Sequence, residues 1–408
     1  MSRIAWLALL SCLPAPQSAE DLPSKRDRLS ARIETLRGLK FGPTVAVEIG
    51  TRREGAGFAL EQSKELYGGD LAGFERVFKT LGLVPAAVKL ELAIPAYAAA
   101  SMKAYVARDK LCILDPALPD DELVYRLTLV LSERTAAASG SPAAEPSYDA
   151  RMARLALRHG EADMTKQLFW AGLGVDGTRT DADHLKKAVE SAEKWERETS
   201  RLASLVAPRF LIRSSDFLWR RGGIFMESMR QEGGADRLRK VYARPPESTE
   251  QILHPEKYLK EERPAALDMK PLEDFFASRK SDPVYRTTLG ELGAAILIES
   301  LQEKPRPEAA AGWGGDRLMA WAEGGKVLVV WATAWDREED AREFEDAAAA
   351  VAFGMNRRDD AAKAFVVRRG ASAALVLNCP EALKPDLVAA LWKGTLTRGS
   401  SSEPFGKP

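Results

Sequence analysis

Hydrophobic and polar residues alternate along the chain in two ways, and the two periods predict helices and strands. Apolar residues recur every three to four positions in long segments, which is typical of amphipathic helices. The predicted helices cover residues 25–39, 60–81, 119–134, 149–171, 181–206, 210–231, 289–301, 338–353 and 386–396. Short apolar runs predict strands at 44–49, 104–106, 111–114, 318–322, 327–333, 364–368 and 373–377. Helices followed by strand pairs that pack with further helices indicate an α+β fold.

The order of these elements predicts two domains. A mostly helical domain is expected over residues 25–244, with one short strand and one hairpin. Residues 245–285 begin with many prolines and charges and few apolar anchors, so we interpret them as a boundary strip. A smaller α+β domain is expected over 286–397, and the Gly-, Ser- and Pro-rich tail at 398–408 is predicted to be disordered.

Residues 1–19 have the pattern of a secretory signal. Arg3 precedes the apolar stretch 4–10, which is too short to span a bilayer. The segment ending at Cys12 resembles the lipobox of bacterial lipoproteins, in which the cysteine is lipidated and becomes the new N-terminus. Ordinary cleavage near Ala19 is the alternative. The sequence therefore predicts export to the cell envelope, where a lipid anchor at Cys12 would be the one link to the membrane.

Composition narrows the range of possible chemistry. The chain has 59 basic and 59 acidic residues, so it has no bulk field to attract nucleic acid. With three His and three Cys, a zinc site built from several imidazoles or thiolates is nearly excluded by counting. Neither a glycine-rich phosphate loop nor a Gly-x-Ser-x-Gly nucleophile turn occurs in the sequence.

Two cysteines and a group of tryptophans each allow two interpretations. Cys112 and Cys379 lie in apolar runs, which favours buried thiols, although an oxidising compartment would permit a bond between them. The C-terminal part carries four tryptophans, at positions 313, 321, 331 and 335. They could form a binding surface, but the apolar run 327–331 favours a core position.

Six short sequence segments occur in an order that is similar to that of a known protein family. They are the helix end at 78–83, the hairpin at 105–114, the helix at 120–134, Arg-His-Gly-Glu-Ala-Asp at 158–163, Ser-Thr-Glu-Gln-Ile-Leu-His-Pro-Glu-Lys-Tyr at 248–258 and Gly-Trp-Gly-Gly-Asp-Arg at 312–317. In this order the chain resembles exported bacterial proteins related to gluzincin-type zinc metallopeptidases. Those proteins carry His-Glu-x-x-His on one helix and a glutamate ligand on a later helix, often within a Glu-Gly-Asp/Glu-Ala segment.

The resemblance implies a metal-binding motif whose key positions are changed here. Tyr125 and Leu129 stand at the two imidazole positions, and Arg126 stands at the position of the general base. Leu129 has no lone pair, and a guanidinium does not accept a proton at ordinary pH. Of the ligand positions, Glu161 alone keeps its type, and one carboxylate does not make a zinc site. The three histidines of the chain, at positions 159, 184 and 254, are not spaced as metal ligands.

These replacements lead to a hypothesis about contacts and to one about function. A buried Glu161 without a metal needs another partner, so one hypothesis is that Arg126 and Tyr125 contact it. The alternative is that Glu161 lies on an exposed helix face. The predicted function is that of a non-catalytic scaffold that uses no cofactor and binds a protein or peptide. The alternative is an active hydrolase with an unrecognised or rebuilt metal site. A purely structural lipoprotein of the envelope is a third possibility.

Overall fold

The computed structural model of the chain describes residues 21–108, 110–140, 147–172, 174, 190, 208–301, 307–356 and 363–394. The signal segment with Cys12, most of the predicted helix at 181–206 with His184, and the tail at 398–408 lie outside the described residues. Within them the chain combines many helices with two sheets, which confirms the α+β fold.

The N-terminal part builds helices around a small sheet. Its elements are α1 (Leu22–Arg37), β1 (Ala46–Ile49), α2 (Arg52–Leu66), α3 (Leu71–Thr80), α4 (Leu90–Ser101), β2 (Ala104–Ala107), β3 (Lys110–Ile113), α5 (Asp120–Ala138) and α6 (Tyr148–Ala171). The strand order is β1-β3-β2, with β1 parallel and β2 antiparallel to β3. The hairpin predicted at 104–114 is confirmed.

The single helix predicted over 60–81 is wrong, because the chain turns in its middle. Gly68 and Gly69 have φ angles of 78° and 82°, in the left-handed region that glycine adopts without strain. Asp70 then caps α3 by accepting a hydrogen bond of 2.8 Å from the Gly73 N–H. Helix α4 was not predicted from the sequence, and it holds Pro95 in its interior.

A long helical stretch follows and crosses α6 at very close range. It consists of α7 (Arg209–Asp216), a π-helical turn (Phe217–Arg221) and α8 (Gly222–Ala243). A Cβ atom built on Gly160 would lie 2.1 Å from the carbonyl carbon of Gly222. Only glycine fits at this crossing, which explains the glycine between His159 and Glu161.

The predicted boundary strip at 245–285 folds into short helices with buried residues. They are α9 (Thr249–Leu253), α10 (Pro255–Leu259) and α11 (Lys270–Ser278). One hydrophobic core includes Phe74 and Phe225 from the chain before the strip and Trp331 from the chain after it. Both parts therefore share apolar packing, and the division into two domains stays a prediction.

The C-terminal part is built on a larger antiparallel sheet. Its elements are β4 (Pro283–Thr287), α12 (Gly290–Leu301), a 3₁₀ turn (Pro307–Ala310), β5 (Trp313–Glu323), β6 (Lys326–Trp335), α13 (Glu338–Asn356), β7 (Lys363–Arg369), β8 (Ser372–Cys379) and α14 (Lys384–Leu391). The strand order is β4-β5-β6-β8-β7. The two predicted strand pairs are confirmed as β5–β6 and β7–β8, whereas β4 was not predicted.

Both faces of the larger sheet are covered. On β6, Val329 and Trp331 belong to the core shared with the N-terminal helices, whereas Leu328 and Val330 belong to a core with α11 and α14. This alternation is expected for a strand that is buried on both faces. The core position of the four C-terminal tryptophans is confirmed, because all four are buried.

Cys112 lies in the small sheet and Cys379 in the larger one. Both are buried free thiols, as the apolar settings indicated. Among the described helices, we find none that has both the length and the apolar character to cross a membrane.

Candidate functional site

Tyr125 on α5 faces His159 on α6. The Tyr125 hydroxyl lies 2.6 Å from Nδ1 of His159. Burial, together with the nearby Arg126 and Arg158 charges, lowers the pKa of His159 to about 3, so its imidazole is neutral at physiological pH. Burial also raises the pKa of Tyr125, so its hydroxyl keeps its proton and donates it to Nδ1. The proton of the neutral imidazole is then on Nε2.

The other two changed motif positions on α5, Arg126 and Leu129, have structural roles. Arg126 pairs with Glu122 one helical turn earlier, and its Nε lies 2.7 Å from Oε1 of that carboxylate. Leu129 is buried in the apolar core around the small sheet. These side chains offer no ligand and no base, since a hydrocarbon has no donor atom and a guanidinium keeps its protons.

Glu161 is fully buried and is held by three other helices. Arg37, the last residue of α1, pairs with its Oε1, and the Arg37 Nε lies 3.1 Å from that oxygen. The hydroxyls of Ser132 on α5 and Tyr242 on α8 both donate to Oε2. Burial, together with the Glu161 charge, raises the pKa of Tyr242 well above its usual value, so this phenol stays protonated. We call these four residues the Glu161 centre.

The expectation that Arg126 and Tyr125 contact Glu161 is therefore wrong. Their partners are Glu122 and His159. A guanidinium does pair with the buried carboxylate and a phenol does donate a hydrogen bond to it, but these groups come from Arg37 and Tyr242. Arg37 precedes Glu161 by 124 residues, so no local spacing in the sequence could have indicated the pair.

His159 takes the position at which the resemblance places a glutamate. The family segment begins Glu-Gly, and in this chain the residue before Gly160 is His159. His159 and Glu161 point to different partners, which agrees with their two-residue spacing on one helix. The structure thus brings Tyr125, at the first imidazole position, to His159 and not to Glu161.

A second group of carboxylates converges on a lysine. Single oxygens of Glu250, Glu262 and Asp336 lie close enough together to hold a metal ion. The Lys257 ammonium lies among them, 2.7 Å from Asp336 and 3.3 Å from Glu262, and it also donates to Glu250. Burial raises the pKa of Glu250 to about 7, although Lys257 opposes that shift. The lysine thus supplies the positive charge for which a metal would otherwise be needed.

Two further carboxylates are buried where α6 meets the larger sheet. Asp149 accepts hydrogen bonds from the Thr249 N–H at 2.9 Å and the Thr249 hydroxyl at 2.6 Å. Asp316 accepts from the Gly290 N–H at 2.7 Å and from the Trp313 indole at 3.0 Å. Burial raises the pKa of Asp149 to about 8 and that of Asp316 to about 6, against the effect of these hydrogen bonds.

The two downstream blocks of the resemblance supply most of these contacts. The block at 248–258 contributes Thr249, Glu250 and Lys257, and it also contributes His254, whose Nε2 lies 2.9 Å from Glu291 on α12. The block at 312–317 contributes Trp313 and Asp316. Both blocks therefore join the N-terminal helices to the sheet, which is a structural role.

Comparison with known proteins adds one partial match. The model of a domain of unknown function, DUF8575, matches residues 279–388, which include every strand of the larger sheet. No curated protein and no solved structure matches the chain.

Proposed function

We propose that the protein is a non-catalytic relative of gluzincin-type metallopeptidases that serves as an exported scaffold for a protein or peptide partner, with Cys12 as the candidate lipid anchor. The main support is the contact of 2.6 Å between Tyr125 and His159. The residue at the first imidazole position is thus a phenol that hydrogen-bonds a neutral imidazole on α6, two residues before Glu161, the third ligand position that the resemblance implies.

The chemistry of the neighbouring side chains also favours a scaffold. An enzyme of this class needs a carboxylate next to its first ligand to take a proton from the bound water. Arg126 stands at that position and pairs with Glu122, and a guanidinium does not accept a proton. Glu161 has no free lone pair aimed at solvent, because Arg37, Ser132 and Tyr242 surround it.

The alternative, a hydrolase with a rebuilt metal site, has its best support in the carboxylates around Lys257. A metal there would have to displace an ammonium whose pKa is raised by Glu250 and Asp336, although burial opposes that shift. We call Lys257 and the carboxylates of Glu250, Glu262 and Asp336 the Lys257 group. Its lysine already provides the positive charge, so we rank this function second.

Restoring the motif tests the proposal. In the variant Y125H/R126E/L129H, the new side chains at i and i+4 lie on one face of α5, and position 125 lies beside His159. We expect this variant to bind about one zinc per chain, since three protein ligands suffice for a site that also holds water. Adding H159A to it should abolish zinc binding, whereas adding H254A should not.

Two results would contradict the proposal. A folded Y125H/R126E/L129H variant that binds no zinc would show that α5 and α6 do not have the geometry of the family. Chelator-sensitive peptide cleavage by the unmodified chain would instead establish the hydrolase.

A further inference from the structure

A large cleft opens at the edge of the sheet, where β4 meets the N-terminal helices. Its volume is about 790 Å³, which lies within the range of small-molecule and peptide sites. One wall is formed by β4, β5 and α11, and the other by the turn between α2 and α3 and the start of α6. The cleft is separate from the Glu161 centre and from the Lys257 group, because it shares no residue with either.

Three arginines line this cleft, and their donors are largely unused. Arg151 reaches the Leu66 carbonyl only at 3.4 Å, and Arg286 reaches Glu273 only at 3.8 Å. Arg317 is half-buried on β5, and within the described residues its guanidinium has no hydrogen-bond or ion-pair partner. Each guanidinium has five N–H donors. The cleft therefore offers many more donors than its own residues accept.

The acidic residues of the cleft do not balance these charges. Asp70 is exposed, and one of its oxygens is used to cap α3. Within the part of the chain that the structure describes, the ion-pair partner of Glu273 is the exposed Arg286, at the long distance given above. An excess of guanidinium groups in a concave site selects carboxylates, because the planar group donates two parallel hydrogen bonds to both oxygens.

The remaining lining combines apolar side chains with the hydroxyl residues Ser147, Ser281 and Thr287. Trp321 and Met319 on β5 are buried and form part of the lining, and the Tyr285 hydroxyl is fixed by a 2.8 Å hydrogen bond to the Tyr67 carbonyl. Beyond the cleft, the Thr288 carbonyl of the same edge accepts from the Asp149 N–H at 3.2 Å. Because the start of α6 meets the chain directly after β4, an occupant cannot extend past that end of the strand, so it has to be short.

We propose that this cleft binds a short acidic segment of a partner protein, with a carboxylate of that segment paired to Arg317 and Arg286. The inference goes beyond the proposed function, since it assigns the partner's chemistry and its site. Apolar side chains of the segment contact Trp321 and Met319, and Arg151 provides a further donor on the opposite wall.

Two peptide libraries test this site on the folded chain. Both are degenerate pentapeptides, with glutamate fixed at the central position in one and glutamine in the other. Immobilised protein should retain the glutamate library roughly tenfold more strongly, because hydrogen bonds between charged groups exceed those to a neutral amide. R317Q and the exposed R286Q should each remove most of this preference. R342Q, an exposed arginine on α13, should not change it.

Three outcomes would overturn the assignment. They are equal retention of the two libraries, a glutamate preference that survives in both R317Q and R286Q, and binding of phosphatidylglycerol vesicles without any retention of peptide. Mass spectrometry of the eluted peptides separates this test from that of the proposed function. Intact peptides are expected, and cleaved peptides would contradict the scaffold while leaving the cleft as the binding site.

Discussion

The Glu161 centre and the cleft along β4, which we call the β4 cleft, both contain arginines and carboxylates. The two regions differ in how completely the hydrogen bonds of these groups are formed. In the centre, one carboxylate is surrounded by a guanidinium and two hydroxyls in a fully buried position. In the cleft, Arg151 and Arg286 make only long contacts, and the half-buried Arg317 has no partner within the described residues. Both Glu161 oxygens accept hydrogen bonds within the fold, although Nη1 of Arg37 is buried without a partner among the described residues. Open donors at a concave surface are instead available to a ligand.

Removing the cation of the Glu161 centre is the strongest test of this contrast. We expect R37A to lower the free energy of unfolding by about 3–5 kcal/mol, because it leaves a buried charge unpaired. Urea denaturation measures this loss. The double variant R37L/E161Q keeps an acceptor for Ser132 and Tyr242 without the charge, and it should recover part of the loss. A cost of R37A below about 1 kcal/mol would mean that the pair does not hold the helices together.

The glycine crossing between α6 and α8 should be the next most sensitive feature. G160A places a methyl group against the Gly222 backbone, and we expect a loss of about 1–3 kcal/mol. The matched control is G57A, since a Cβ on this exposed α2 glycine meets no atom within 4 Å. G57A should stabilise the protein by about 0.5–1 kcal/mol through helix propensity. Equal effects in thermal unfolding would argue against the close crossing.

Asp149 is an intermediate case, because it is buried with neutral donors and without a cation. Its raised pKa of about 8 means that the folded chain holds a proton that the unfolded chain has lost at neutral pH. Stability is therefore largest at low pH and falls as the pH rises through 8. We expect this group to contribute a loss on the order of 2 kcal/mol between pH 6 and pH 9.

The variant D149N isolates that effect. The asparagine oxygen can still accept from Thr249, but the side chain does not titrate. The fall in stability from pH 6 to pH 9 should become smaller than in the unmodified chain. If the free energy of unfolding, measured in urea, changed equally with pH in D149N and in the unmodified chain, Asp149 would be ionised in the folded state.

The smallest effect on stability is expected at the cleft. R317Q should change the free energy of unfolding by less than about 0.5 kcal/mol, because no internal bond of its guanidinium is lost. The same substitution should strongly weaken retention of the acidic peptides. A destabilisation as large as that of R37A would place Arg317 among the structural residues and remove it from the binding site.

The sequence predicted elements better than contacts between them. Helix α1 follows from helical spacing, and the hairpins and the burial of the C-terminal tryptophans follow from short apolar runs. The glycine pair Gly68-Gly69 is typical of a turn and indicates the break between α2 and α3. Apolar residues continue at helical spacing on both sides of the pair, and they led to the prediction of a single helix. The short strand β4 begins at Pro283 and gave no clear alternation.

In the candidate site, the sequence does not predict which residues contact Glu161. Burial of Glu161 and its need for a cation follow from chemistry, but the identity of that cation depends on tertiary packing. The end of α1 brings Arg37 to α6 through a long-range contact, and α8 brings Tyr242. The cleft along β4 joins residues from segments far apart in the sequence, and Arg317 was noted only as the end of the block at 312–317.

The most direct test of the central claim is the metal content of the unmodified chain after purification in buffer with added zinc, measured by elemental analysis. We predict far less than one zinc per chain and no change in thermal stability on adding a chelator, because Leu129 and Arg126 offer no ligand and Arg37 already neutralises Glu161. Stoichiometric zinc whose binding is lost in H159A or E161A would contradict it.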